Sequence, residues 1–537
     1  MTAEIINQIE KLTSIGISLS KERNSLLLLE KILEGAKDIT SADAGTLYLV
    51  KDKQLHFEIL QTDSMGLAMG GTSKQAINLP PIPLIKEDGE PNLQNVSAYT
   101  AVTGQTTNIP DAYSVEGFNF QGTKIYDKEN NYRSKSFLTI PMRNHEDEII
   151  GVLQLINAQN KSTEEVVPFS FRDQKLAESL ASQAAITLTN YQLIGNLKEL
   201  LEKFIEMIAS AIDDKSPYTG GHCRRVPEIA SLIADAINEC DQPAFKNVTF
   251  NEQDLYELKI AALLHDCGKI TTPVHVVDKA TKLETINDRI SLVAERVEIL
   301  KKEAEIQLLK VKLQSSDEKV IKSAEQEYQS FLNQLDQDFA VIAQANKGSE
   351  FMGEEARENL KRIAKYSWKD AKGNKCKLLN DDELHNLCIA KGTLNDEERK
   401  IVNHHIVMSQ SMLSSLPFPK HLKNVPEIAG NHHERMDGKG YPNGIEGGKL
   451  SIQARLMCIA DIFEALTADD RPYKKAMNLS TAITILGKMK LDFHIDGDLF
   501  DLFISEKIYL KYAEKFLSPE QIDEIDIQQI PGYGVEM

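Results

Sequence analysis

Apolar residues recur at helical spacing over Ile5–Leu19 and Leu26–Ile39, after which the period changes. The runs Thr46–Val50, His56–Leu60, Ser136–Met142 and Ile149–Ile156 are short, apolar and separated by polar or turn-forming residues, which predicts strands. From Leu176 to Ile212 the helical period returns with few breakers, predicting one long helix or two joined near Gly195. Beyond about Asp214 the chain reads almost wholly as helices. A loop over Asp214–Gly221 leads into a helix starting near His222, and an apolar helix over Leu255–Leu264 ends in His265-Asp266. Two charged helical stretches between about Asn287 and Gln344 meet at Ser315-Ser-Asp317, the signature of an antiparallel helical hairpin, and short helices are expected over Glu354–Ala390. The pattern predicts a multidomain chain: an α+β domain over residues 1–193, a connecting helix over 194–213, and an all-α domain over 214–537 with a helical insertion at about 287–392.

A chain of 537 residues exceeds one ordinary core, in keeping with that division. The net charge of -19 argues against sequence-independent binding to nucleic acid or to an anionic membrane, because the protein's own field repels both. No apolar run approaches a membrane span, and Glu4 and Glu10 stand where a secretory leader would be basic and then apolar, so a cytoplasmic location is expected. The six cysteines form no CxxC pair, which predicts reduced thiols and leaves them out of any metal site.

Histidine and carboxylate chemistry collects at five places: His222, His265-Asp266, His404-His405, His432-His433 and Asp461. A lone histidine among helices is usually a satisfied core residue, but adjacent His-Asp has a carboxylate with two oxygens, each able to bind a different ion. In the α+β domain no nucleophile and base pair stands out, so binding is expected there rather than catalysis.

The N-terminal part resembles a GAF domain. The likeness rests on AVTGQTTNIPDAY at 101–113, on SFLTIPM at 136–142 followed by IIGVLQLIN at 149–157, and on the closing helix that begins near Asp173. It implies an antiparallel sheet with a pocket for a small molecule, often a cyclic nucleotide. Asn157-Ala158, Phe169 and Asp173-Gln174 depart at two positions from the motif of cyclic-nucleotide binders, so a dimerisation domain is the preferred reading.

The C-terminal part resembles the HD-GYP branch of the HD-superfamily metal phosphohydrolases, on HDCGKI at 265–270, HHERMDGKGYPNG at 432–444 and ADIFEALTADDRPYKK at 460–475. The resemblance implies two divalent ions, iron or manganese foremost, with zinc, nickel and cobalt as alternatives. One would take His222, His265, Asp266 and Asp461; the other would share Asp266 and take His405, His432 and His433. His405 is preferred to His404 because Ser409, Met412 and Leu413 follow it at the family's spacing. Tyr218 stands where three-metal members carry Glu, which favours two ions.

The same resemblance implies catalytic roles for Asp266 and Lys269, and substrate contacts for Gly440, Tyr441, Pro442, Arg471 and Lys474. The chain has one residue more between Ala465 and Arg471 than many members carry. Glu434 and Asp437 are expected to fix the loop rather than to ligate. The implied activity is hydrolysis of cyclic di-GMP to the linear dinucleotide, and onward to GMP, by a metal-activated hydroxide under control of the GAF domain in a homodimer. Hydrolysis of 3',3'-cyclic GMP-AMP and a catalytically weak receptor are the alternatives.

Overall fold

A computed structural model describes residues 2–160, 162–215, 221–348, 352–469 and 476–534, with side chains from residue 9 onward. The chain divides into two compact units, Met1–Leu201 and Glu202–Met537.

The first unit is built on one antiparallel sheet. Its strands are β1 (Ala42–Lys51), β2 (Gln54–Thr62), β3 (Leu67–Gly70), β4 (Ile82–Pro83), β5 (Thr107–Ile109), β6 (Phe137–Arg143), β7 (Ile149–Gln159) and β8 (Val166–Val167). The order across the sheet is β3-β2-β1-β7-β6-β5, with β4 on β2 and β8 on β7. Side chains alternate between faces as the pleat requires. Leu138, Ile140 and Met142 of β6, with Leu153 and Leu155 of β7, join the core formed with helix Ser25–Thr40 and the start of helix Phe171–Lys215. Phe137 and Ile156 belong to an apolar cluster with Val96 of helix Val96–Thr103, and Tyr48 and Val152 to a neighbouring one. On that side Gln154 accepts from the Tyr48 hydroxyl at 3.2 Å and donates to Ser97 and Thr139 at 3.1 and 3.2 Å, so its buried amide is satisfied. Asn24 caps helix Ser25–Thr40 and Asn95 caps helix Val96–Thr103, each accepting two backbone N–H groups.

Helix Phe171–Lys215 runs unbroken through Gly195, which decides between the two expected forms. The helical period is sustained there and Gly195 alone costs only about 1 kcal/mol against alanine.

The second unit is helical around one large core. Helices His222–Glu239, Glu252–Leu264, Ile452–Thr467, Leu479–Leu491, Gly497–Ser505 and Ile508–Phe516 all contribute to it. The charged stretch forms the hairpin of helices Ile290–Gln314 and Glu318–Asn346. Its antiparallel register is marked by Lys301 pairing with Asp336 and Lys312 with Glu325. It shares a separate apolar core with the segment that follows, through Leu283, Val293, Leu335, Ile342, Leu360 and Leu387. That segment is not helical throughout. Between helices Glu354–Ile363 and Asp381–Leu387 lies a two-stranded hairpin, Ser367–Lys369 against Lys375–Lys377. Asp370 closes its turn by accepting the backbone N–H groups of Lys372 and Asn374, with Gly373 at φ 84°. Three-residue strands are too short to show a period of two.

Two buried lysines hold the base of this insertion, and one of them, Lys279, reaches helix Asp396–Ser414. Lys282 donates to the carbonyls of Leu387 and Ile389, and Lys279 donates to both oxygens of Glu398 at 2.8 Å and to Asn386. Glu398 also closes the capping box of that helix with Asn395. Removing one partner of a buried pair leaves the other charge uncompensated. Lys279→Met is therefore expected to cost about 3 kcal/mol in urea unfolding of the full chain, whereas Lys449→Met, which breaks an exposed pair with Glu446, should change nothing measurable.

Candidate metal centre

Each site residue sits where a helix begins, ends or is closely packed. His222 opens helix His222–Glu239, behind Gly221 in the left-handed region at φ 86°. His265 closes helix Glu252–Leu264, whose start is fixed by a capping box between Asn251 and Asp254, and Asp266 leads into the 3₁₀ turn Cys267–Thr271. His405 lies within helix Asp396–Ser414, His432 and His433 follow helix Val425–Gly430, and Asp461 lies on helix Ile452–Thr467.

The structure brings these residues together around one carboxylate. Asp266 Oδ2 lies 3.3 Å from Nε2 of both His222 and His265 and pairs with Lys269 Nζ. Its other oxygen, Oδ1, lies 3.2 Å from His405 Nε2. Asp461 Oδ1 is 3.2 Å from His222 Nε2 and 3.7 Å from His265 Nε2. The side-chain nitrogen and oxygen atoms with which His222, His265 and Asp266 could hold a metal ion lie within 4.8 Å of one another, as do those of His405, His432 and His433. Asp266 thus turns one oxygen to each group. His404, the neighbour set aside in the sequence, is exposed beside Thr271, Thr272 and Lys400.

The close approach has a steric condition. A Cβ on Gly268 would lie 1.9 Å from the His405 carbonyl oxygen and 2.5 Å from Ser409 N, and the Gly268 N–H donates to Ser409 Oγ at 2.8 Å. Glycine on one side and a small hydroxyl on the other let helix Asp396–Ser414 reach the Asp266 turn.

Most of the imidazoles are oriented by a second contact. Nδ1 of His265, His405 and His432 each meets the carbonyl three residues earlier, on Ala262, Val402 and Ala429. Donating Nδ1–H to those carbonyls leaves Nε2 of each ring facing the centre, the atom that would ligate a cation. His222 Nδ1 meets the buried carboxylate of Glu464, which also accepts from Arg225 at 2.6 Å. Among the described residues no hydrogen bond holds the His433 ring; it packs instead between His432 and Tyr441, at centroid distances of 4.2 and 4.8 Å.

Burial opposes ionisation of Asp266 and Asp461, yet the surrounding cations and imidazole contacts hold both well below the ordinary carboxylate range. Burial likewise opposes protonation of His265, but Asp266 beside it raises it to about 9. At His432 burial wins, and at His433 it lowers the value to about 4, so these two rings are neutral, the form that ligates a cation.

Asp266 Oδ1, His405 Nε2 and His432 Nε2 are buried with no hydrogen-bond partner. Orphaned acceptors are costly in an interior, and three among clustered nitrogen and oxygen ligands suit a divalent cation. The residues present fit the metals the sequence implies.

The loop that carries Gly440, Tyr441 and Pro442 folds back onto this centre. Tyr441 N donates to the His433 carbonyl, and the buried Glu434 carboxylate accepts the N–H groups of Asn443 and Ile445 at 2.7 and 2.9 Å. Asp437 accepts from Arg435 and from Lys439 N. Both acids therefore fix the loop. Arg471, Lys474 and Tyr218 lie outside the described residues. Glu464 and Arg225 were not foreseen as site residues; the available signal was a carboxylate three positions after Asp461, on the same helix face.

A GAF-domain model matches residues 26–188, and HD-domain models match residues 219–363 and 378–499. The chain carries a GAF domain followed by an HD domain. The HD domain's two matched segments each hold part of the centre: His222, His265 and Asp266 in the first, His405, His432, His433 and Asp461 in the second. Relatives include the 3'3'-cGAMP-specific phosphodiesterase 1 of Vibrio cholerae, 36% identical over 126 residues, or 23% of this chain and 28% of that protein. A probable cyclic di-GMP phosphodiesterase of the same organism is 31% identical over 141 residues, or 25% and 32%. These matches span only about a quarter to a third of the relatives' own length. Among solved structures, the GAF domain from an Acinetobacter phosphoenolpyruvate-protein phosphotransferase aligns with a TM-score of 0.25 at 16% identity, over 35% of this chain and 97% of that one.

Gly268→Ala in the HD domain should push the His405 helix away, costing about 1–3 kcal/mol and lowering bound metal as measured by elemental analysis. Gly448→Ala, whose Cβ meets nothing within 4 Å, should leave both unchanged.

Proposed function

We propose that the HD domain is a metal-dependent phosphodiesterase that hydrolyses cyclic di-GMP to its linear dinucleotide. The observation that carries this reading is the Asp266 carboxylate, with one oxygen turned to each of two histidine groups. His222, His265, Asp266 and Asp461 would hold one divalent ion, and Asp266, His405, His432 and His433 the other, with iron or manganese favoured. Two such ions supply an activated water and a clamp on the phosphate oxygens.

The remaining work falls to this chain's own groups. Lys269, paired with Asp266 at the rim of the centre, puts a cation where phosphate charge develops or where the departing oxygen needs a proton. Glu464 behind His222 and the carbonyls behind His265, His405 and His432 keep those four imidazoles aimed. Arg471 and Lys474 supply the positive charge that a protein of net charge -19 must concentrate locally to hold a dianionic dinucleotide. The loop at Gly440, Tyr441 and Pro442 shapes the groove. A second reading, hydrolysis of 3',3'-cyclic GMP-AMP, is supported by the likeness to the 3'3'-cGAMP-specific phosphodiesterase 1 of Vibrio cholerae.

The GAF domain would regulate this activity, with a small molecule or cyclic nucleotide as its ligand. No described helix is long and apolar enough to cross a membrane, and all six cysteines are free, in keeping with a cytoplasmic enzyme. We place the protein in a homodimer because every residue from Asn190 to Leu201 is exposed while Leu193, Leu197, Leu200, Phe204 and Met207 recur at alternating spacings of four and three. That is the seam of a two-stranded coiled coil.

Turnover of both dinucleotides by metal-loaded protein, beside Asp266→Ala, tests the activity. The substitution should lower kcat by about three orders of magnitude, the several kcal/mol expected of the ions; equal activity would sink the mechanism, and metal uptake without turnover of either would favour a receptor. For the dimer, Leu197→Asp combined with Phe204→Asp should convert a sedimenting dimer to a monomer, and a wild-type monomer at micromolar concentration would refute it.

A further inference from the structure

The end of the long helix touches both elements that carry the first group of ligands. Asp213 is buried; its Oδ2 accepts the N–H of Gly221 at 3.1 Å and its Oδ1 that of Cys223 at 3.2 Å, the residues on either side of His222. These are N–H groups at the start of helix His222–Glu239, which have no partner within the helix. Gly221, at the N-cap position, offers no side chain to accept them. Asp213 therefore caps this helix from another element, with its negative charge at the positive end of the helix dipole.

Two residues on, Lys215 does the converse. Its ammonium donates to the carbonyls of Lys269, Ile270 and Thr272 at 2.8, 2.5 and 2.6 Å. These carbonyls close the 3₁₀ turn Cys267–Thr271, the turn that Asp266 opens and Lys269 belongs to. A cation at a helix C-terminus satisfies orphan carbonyls and opposes the dipole in the favourable sense. One acid and one base, two positions apart on the last turn of helix Phe171–Lys215, thus hold the start of one ligand element and the end of another.

We infer that Asp213 and Lys215 are positioning residues for the metal centre, setting His222 against Asp266 by fixing the helix and the turn that carry them. The inference rests on the reading of these residues as metal ligands. Neither side chain reaches the reacting atoms; each acts through the backbone of a ligand element. Because both project from one continuous helix, they set the spacing between the two ligand elements together.

The test is Mn²⁺ binding to the full chain, followed by the electron paramagnetic resonance signal of the free ion, with thermal unfolding measured on the same samples. Asp213→Asn and Lys215→Met are expected to bind Mn²⁺ about 10–100-fold more weakly than wild type, the range for partners that orient a metal's ligands. Lys215→Arg, which keeps the donor, should restore most of the affinity. The control is Asp523→Ala, which removes a carboxylate that accepts from Ser480 at the start of helix Leu479–Leu491, an element with no site residue. It should lower the unfolding temperature but bind Mn²⁺ as wild type. If Asp213→Asn and Lys215→Met lose only stability, as Asp523→Ala does, the positioning role is overturned. Should Lys215→Met not fold, Asp213→Asn, which keeps the side chain's size and shape, decides the matter through the same affinity. A wild-type chain that takes up no Mn²⁺ overturns the metal-centre reading itself.

Discussion

The structure of the HD domain depends on one buried carboxylate shared in two directions. Taking Asp266 out of water costs several kcal/mol unless partners compensate it. Lys269, His222 and His265 gather on Oδ2, and His405 faces Oδ1. To bring His405 that close, helix Asp396–Ser414 must sit against the Asp266 turn with no side chain at Gly268. To keep the helix there, its first turn is held by Asn395 and by Lys279 through Glu398. A single electrostatic requirement thus reaches from the centre out to the base of the insertion.

The histidines solve their tautomer problem with backbone already present. Ala262 lies in the last turn of helix Glu252–Leu264 and Ala429 in that of Val425–Gly430, where carbonyls lack partners within the helix. A histidine placed just past such an end can donate Nδ1–H backwards and present Nε2 forwards. This satisfies a helix terminus and orients the imidazole with the same hydrogen bond. His222 begins a helix instead, where the free backbone groups are donors, and so its Nδ1 is met by a side-chain carboxylate, Glu464.

The sequence was legible where a signal is local or periodic. Sustained helical spacing gave the long helix and the charged hairpin, whereas His405 was preferred to His404 through the family's spacing to Ser409, Met412 and Leu413. The structure shows what the small residue at 409 does: it admits the Gly268 turn. The hairpin around Asp370 was missed because its strands are shorter than any period. Glu464, Asp213 and Lys215 were missed for a different reason. Glu464 acts on His222 across 242 positions, and Lys215 acts on carbonyls 54 to 57 positions away, so their roles exist only once the chain is folded.

The stretch from His432 to Gly444 joins two jobs that the sequence separated. A Cβ on Gly440 would lie 2.4 Å from Arg435 N and from Glu434 Cα, so the loop can double back this tightly only with glycine there. Doubling back brings Asn443 and Ile445 to Glu434, and Tyr441 onto His433 by both ring and N–H. His433 lacks the carbonyl anchor of His432, and the stack against Tyr441 takes its place. The loop proposed to shape the substrate groove therefore also supports His433, proposed to hold the second ion. Whatever bends that loop must bear on His433, because the same short segment is hydrogen-bonded to both His433 and Glu434.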